Sequence, residues 1–156
     1  MKNLIALMRP TQWLKNIFIL LPLFFSRNIM SIDGLINAAY IFVAFSLAAS
    51  SIYCFNDIMD VKADRMHPKK KLRPIASGEI TLPQAYTTML VLITCAILSL
   101  FALPNKSARL AAITIVAVYY IMNIAYCIKL KHIAIIDTFI ISIGFVIRVL
   151  AGGVST

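Results

Sequence analysis

Acidic side chains are scarce in this chain. Its 156 residues hold six of them against fifteen lysines and arginines, and charged residues of both signs reach only 13%, about half of the roughly 25% usual in a soluble domain. A chain so short of charge, 61% hydrophobic and with a mean hydropathy of +0.88, is excluded as an ordinary water-soluble domain and reads as an integral membrane protein. Cysteine is nearly as sparse. Cys54, Cys95 and Cys127 lie in or at the ends of apolar stretches without C-x-x-C spacing, which speaks against a disulfide framework or a thiolate metal site and leaves them as packing residues. The two histidines, His67 and His132, stand far apart in basic loops, so no histidine metal pair is expected. Repeats, low-complexity tracts and a second domain are also missing, and residues 1–156 read as a single transmembrane domain.

What is there in quantity is apolar length. Five segments can be drawn against the roughly 20 residues that an α-helix needs to cross a bilayer: about 12–26, 35–55, 84–103, 108–128, and from 133 past 150. The first is short for a full crossing and is entered through Arg9-Pro10, with proline near the first helical position. A cleavable signal is not expected there, because the run Ile17 to Phe25 is followed by no small-x-small site. The second follows a turn at Ser31-Ile32-Asp33-Gly34. The third starts after Thr81-Leu82-Pro83-Gln84, which fits a capping box, and stops at Pro104. The expected fold class is all-α, a multi-pass transmembrane helical bundle.

Lysine and arginine alone give the orientation. With the N-terminus in the cytoplasm, that side holds Lys2, Arg9, Lys15, Lys62, Arg65, Lys69, Lys70, Lys71, Arg73, Lys129 and Lys131, whereas the other holds Arg27, Lys106 and Arg109. The net charge of +9 therefore reflects membrane orientation and anionic headgroups, not nucleic acid.

Three of the six acids fall within eight residues, at Asp57, Asp60 and Asp64, with Asn56 just before them. On a continuous helix they would share about 60° of arc at the cytoplasmic mouth of the second segment. Carboxylates this close need a cation. A divalent metal is the natural one, since Mg²⁺ prefers hard oxygens and takes one or two protein carboxylates with phosphate oxygens and water. The basic stretch that follows, with Arg65, Lys70 and Arg73, offers phosphate contacts, and Lys15 is a further candidate. Together these point to a diphosphate site. The bland alternative is a solvated helix end followed by a basic loop that merely sets topology.

Elsewhere, Ala44, Ser46, Ala48, Ser50 and Ser51 form small-x-x-x-small pairs that permit close helix approach, and Asn37 calls for a hydrogen-bond partner on a neighbouring helix. Arg148 lies well inside the fifth segment with no acid near it in sequence. Two readings stand for it, a functional intramembrane charge or a side chain that snorkels to the outer surface. Asp137 either pairs with Lys131 or faces the polar site.

Asn56-Asp57-Ile58-Met59-Asp60-Val61-Lys62-Ala63-Asp64-Arg65, followed by Arg73-Pro74-Ile75-Ala76-Ser77-Gly78, resembles the first aspartate-rich motif and the R-P-[LI]-x-x-G stretch of the UbiA superfamily of intramembrane prenyltransferases. Four more stretches resemble its decaprenyl-phosphate phosphoribosyltransferase branch: Arg9-Pro10-Thr11-Gln12-Trp13-Leu14-Lys15-Asn16, His67-Pro68, Leu130-Lys131-His132 leading to Asp137, and Gly144-Phe145-Val146-Ile147-Arg148 leading to Gly152-Gly153. The resemblance implies a bundle of about nine transmembrane segments in a bacterial-type inner membrane, with a cytoplasm-facing polar cavity and a lateral opening for an isoprenoid chain. It implies two aspartate-rich motifs that hold Mg²⁺ and a diphosphate donor. In this branch the donor is 5-phosphoribosyl 1-diphosphate and the acceptor a polyprenyl phosphate; in sister branches a prenyl diphosphate alkylates an aromatic or other acceptor. Asn56, Asp57, Asp60 and Asp64 take the first-motif positions, and Trp13 would anchor the first segment at the interface.

One departure stands out. After Asp64 the only acids are Glu79 and Asp137, so the second aspartate-rich motif is lacking. The five segments read as the first half of the nine-helix fold, a truncated piece expected to show no turnover alone. A non-catalytic subunit completed by a second chain and a small transporter using Asp137 and Arg148 are the readings outside enzyme chemistry.

Overall fold

The computed structural model describes residues 2–26, 31–129 and 134–155. Arg27, Lys131 and His132, used above for orientation and resemblance, lie outside them. In chain order the elements are α1 (Lys2–Met8), a 3₁₀ helix (Pro10–Leu20), α2 (Leu21–Phe25), α3 (Ile32–Met59), α4 (Val61–Met66), a short 3₁₀ turn (Lys70–Leu72), α5 (Leu82–Phe101), α6 (Lys106–Ile128) and α7 (Ala134–Gly153). Among the described residues, α3, α5, α6 and α7 are long and apolar enough to cross a membrane. This is an all-α membrane bundle.

Helix α3 is its axis. In its apolar stretch 56% of the residues are buried, against 22–28% in the other three, because α5, α6 and the 3₁₀ helix all pack on it. Such a helix must be apolar on every face and small where backbones meet. Ala44, Ser46, Ala48, Ser50 and Ser51 are all buried, as their spacing predicts. The serines also hold the bundle together: Ser46 Oγ accepts from Asn16 Nδ2 at 2.9 Å, Ser50 Oγ from Trp13 Nε1 at 2.9 Å, and Ser51 Oγ donates to the Met89 carbonyl at 3.0 Å. Trp13 is thus tied to α3 by its indole N–H. Asn37 is half-buried, and its side chain makes no hydrogen bond among the described residues.

The first apolar segment is not one α-helix. Eleven residues of 3₁₀ helix come before the five of α2. A 3₁₀ helix rises about 2.0 Å per residue against about 1.5 Å for an α-helix, so residues 10–25 reach roughly 30 Å, close to the hydrocarbon thickness. A segment too short as an α-helix gains its reach this way. With three residues per turn, Trp13, Asn16 and Ile19 line one edge, facing α3 and α7. At Gly152 of α7 an added Cβ would lie 1.9 Å from the Ile19 carbonyl oxygen, so only glycine lets the two backbones meet.

The termini follow local chemistry. Ser31 caps α3, its Oγ accepting from Gly34 N–H, so the residues read as a turn already form the first helical turn. Thr81 and Gln84 make the expected capping box at α5.

Candidate functional site

Helix α3 stops at Met59, and Asp60 (φ −91°, ψ 1°) is the junction with α4. The hydrogen-bond register nevertheless continues, Asp60 N–H to the Asn56 carbonyl at 3.0 Å and Asp64 N–H to the Asp60 carbonyl at 2.8 Å. The kink therefore keeps Asp57 and Asp64, two turns apart, on a common side. Both are buried, at 3% and 2% exposure, and both accept from one nitrogen: Arg73 Nη1 lies 3.1 Å from Asp57 Oδ1 and 2.7 Å from Asp64 Oδ2. Arg9 Nη2 also donates to Asp57 Oδ1, and its guanidinium lies 5.1 Å from the centre of the Tyr53 ring.

Two buried carboxylates thus face two guanidiniums, which balances their charge and satisfies their oxygens. Arg9 is held there at a backbone cost. It sits in the left-handed region (φ 51°, ψ 60°), roughly 1–2 kcal/mol unfavourable for a residue with a Cβ. That conformation ends α1 and turns the chain into Pro10.

The other sequence candidates are spread around this pair. Asn56 and Asp60 are half-buried at the end of α3. Arg65 Nε donates to the Ala76 carbonyl at 3.4 Å and so braces the loop carrying Arg73. Lys70 is exposed in the short 3₁₀ turn, held by its backbone N–H on His67 Nδ1. That same loop closes with the Ile80 N–H on the Pro74 carbonyl and with Gly78 at φ +85°, a conformation suited to glycine.

Lys15 is elsewhere. It lines a cavity of about 120 Å³ with Tyr53, Asn123, Tyr126, Asp137 and Arg148 among its walls. There the Tyr126 hydroxyl donates to Asp137 Oδ1, and Arg148 is 6% exposed, its Nε on Asn16 Oδ1 at 2.8 Å and its Nη2 on the Tyr119 hydroxyl at 3.1 Å. Arg148 therefore faces the bundle interior, not the lipid. Tyr53, which belongs to this cavity and also touches Arg9, joins it to the aspartate cluster.

Among the described residues, no three His, Cys, Asp or Glu side chains are placed to hold a metal ion together. The donor chemistry still fits Mg²⁺. Oxygens of Asp57 and Asp64 already converge on one cationic atom, and one or two carboxylates are what this ion usually takes from a protein. Sequence reasoning overlooked Arg9 as a partner of Asp57, and Asn16, Tyr53, Tyr119 and Tyr126 as walls or props of the cavity. A hint was available for Arg9 and Asn16, since both belong to the N-terminal stretch that carries the resemblance.

Comparison with known proteins follows the same lines. Decaprenyl-phosphate phosphoribosyltransferase of Mycolicibacterium smegmatis is 44% identical over 98% of this chain and 48% of that protein. The protein of the same description from Mycobacterium tuberculosis is 36% identical over 99% of this chain and 51% of its own length. A solved structure described as digeranylgeranylglyceryl phosphate synthase matches with a TM-score of 0.82 at 24% identity, covering 99% of this chain and 52% of that one, a likeness of fold. The chain thus spans about half the length of the curated relatives it matches. The model of the UbiA prenyltransferase family matches residues 18–156, and the chain belongs to that family.

Proposed function

We propose that this chain forms the donor-binding half of a Mg²⁺-dependent phosphoribosyltransferase that moves phosphoribose from 5-phosphoribosyl 1-diphosphate to a polyprenyl phosphate. The observation that carries the reading is the buried Asp57–Asp64 pair gathered on Arg73, in a chain 36–44% identical to proteins described as decaprenyl-phosphate phosphoribosyltransferases. Asp57 and Asp64, with Asp60 at the junction, would hold Mg²⁺, which when bound neutralises diphosphate oxygens and stabilises the leaving group. The positive-inside bias supports a cytoplasmic location for this end of the bundle.

The chain's own residues have defined tasks in this reaction. The bond from ribose C1 to the diphosphate oxygen breaks, charge builds on that oxygen, and an oxygen of the acceptor phosphate forms the new bond to C1, with diphosphate released. Arg73 and Arg9, fixed at the carboxylates, present cations where that charge develops; Lys70 and Arg65 extend the positive surface along the loop, and Asn56 supplies an amide at its rim. The acceptor phosphate is already anionic, so no strong base is required. The rest of the site, with a second aspartate-rich motif, would come from further sequence or a second chain.

The reading is tested by incubating membranes that contain this chain, alone and co-expressed with the C-terminal half of the M. smegmatis relative, with labelled 5-phosphoribosyl 1-diphosphate and decaprenyl phosphate. A labelled lipid is expected from the pair and not from the chain alone. A labelled product formed only from a prenyl diphosphate would favour prenyl transfer, the activity type suggested by the 26% identical digeranylgeranylglyceryl phosphate synthase of Sulfurisphaera tokodaii.

A further inference from the structure

We infer that the cavity walled by Lys15 and Arg148 is a second anion site, built for a phosphate monoester and independent of the metal. Arg148 is buried to 6% exposure inside a membrane-spanning helix, yet every group it bonds is neutral: Asn16 Oδ1, the Gly144 carbonyl and the Tyr119 hydroxyl. Three rings, those of Phe45, Tyr119 and Phe145, lie 5.1–5.6 Å from its guanidinium carbon. They stabilise the charge without cancelling it. A buried charge without a counter-charge costs several kcal/mol, and in a membrane helix such a residue marks a functional pathway.

Lys15 brings a second cation to the same cavity. The acid on its wall, Asp137, receives the Tyr126 hydroxyl and pairs with neither cation. Two positive charges against one negative leave the cavity attractive to an anion. Its volume, about 120 Å³, suits a phosphate headgroup and is too small for a sugar diphosphate. Three of the five guanidinium N–H groups that arginine carries are used by its protein partners, which leaves donors for a ligand.

The inference rests on the proposed function for what the phosphate belongs to. Tyr53 joins this cavity to the aspartate cluster, so its occupant lies beside the departing diphosphate. Two phosphate monoesters meet there in the proposed reaction, the polyprenyl phosphate acceptor and the 5-phosphate of the donor ribose.

The test titrates the 156-residue chain, in phosphatidylcholine nanodiscs with EDTA present, with farnesyl monophosphate and separately with ribose 5-phosphate. Farnesol and ribose serve as controls. At least one monophosphate is expected to bind without Mg²⁺, at least tenfold more weakly to Lys15→Gln, with Asp64→Asn unaffected. Because Lys15 is exposed, its replacement leaves the fold in place, whereas Arg148→Gln disturbs the buried bonds to Asn16 and Tyr119; Arg148→Lys is the companion variant, expected to weaken binding while retaining the nearby charge. Farnesyl phosphate alone binding assigns the cavity to the acceptor, and ribose 5-phosphate alone assigns it to the donor. Absence of binding by either, or binding undiminished in Lys15→Gln, overturns the inference. A parallel titration with 5-phosphoribosyl 1-diphosphate, whose tightening by Mg²⁺ is expected to disappear in Asp64→Asn, tests the functional reading by itself, so either can fail while the other stands.

Discussion

Arg73 holds two buried carboxylates with a single nitrogen, which makes it the residue on which the site's stability turns. Arg73→Gln leaves Asp57 and Asp64 facing each other with only Arg9 as counter-charge. Removing one partner of a buried ion pair costs ~3–5 kcal/mol; since a quarter of the Arg73 side chain is exposed, a loss of about 1–3 kcal/mol is expected. Thermal unfolding in detergent reads it, and an unchanged midpoint would remove Arg73 from this role. The aspartates were legible in the sequence, because three acids in eight residues of an otherwise acid-poor chain are hard to assign to a solvated helix end. Their arginine partners were half legible. Arg73 was singled out in the basic loop as a phosphate contact and not as a partner of the carboxylates; Arg9 is 48 residues from Asp57, and no local spacing signals a contact made by folding α1 back on α3. Arg148 was visible as an anomaly only, since its partners are an amide, a hydroxyl and a carbonyl, groups that a search for a nearby acid passes over.

The helices themselves were mostly readable from apolar length and end signals. The Thr81–Gln84 box was explicit in the residues, and Thr81→Ala is expected to lower stability by about 1 kcal/mol without altering ligand binding, as followed by thermal unfolding. The 3₁₀ helix was not readable. An apolar run containing Pro10 and Pro22 fits either helix type, and what selects 3₁₀ is tertiary: its three-residue repeat sets Trp13, Asn16 and Ile19 against Ser50, Ser46 and α7. The packing of α7 on this element gives a paired prediction. Gly152→Ala puts a methyl group 1.9 Å from the Ile19 carbonyl oxygen, whereas at Gly153 an added Cβ meets nothing within 4 Å. The first should destabilise by roughly 1–3 kcal/mol; the second should be neutral or slightly stabilising, since alanine is the better helix former. Equal effects in thermal unfolding would contradict the close approach of the two backbones.

At the scale of the whole molecule, the bundle brings one aspartate cluster and one cation-lined cavity to a shared wall at Tyr53, in a chain about half as long as the relatives it matches. Fold class followed from composition, because charge this sparse leaves lipid as the solvent. The juxtaposition of the two sites did not, since it depends on how α3, α6, α7 and the 3₁₀ helix meet. The central claim is that Asp57 and Asp64 are held for a diphosphate brought with Mg²⁺. Its most direct test is calorimetric titration of the chain in nanodiscs with 5-phosphoribosyl 1-diphosphate, with and without Mg²⁺, in the wild type and in Asp64→Asn. The account predicts saturable binding that Mg²⁺ strengthens and that, with Mg²⁺ present, weakens at least tenfold, ~1.4 kcal/mol, in the variant. Equal binding by the two proteins in the presence of Mg²⁺, or an affinity unchanged by EDTA, would contradict it.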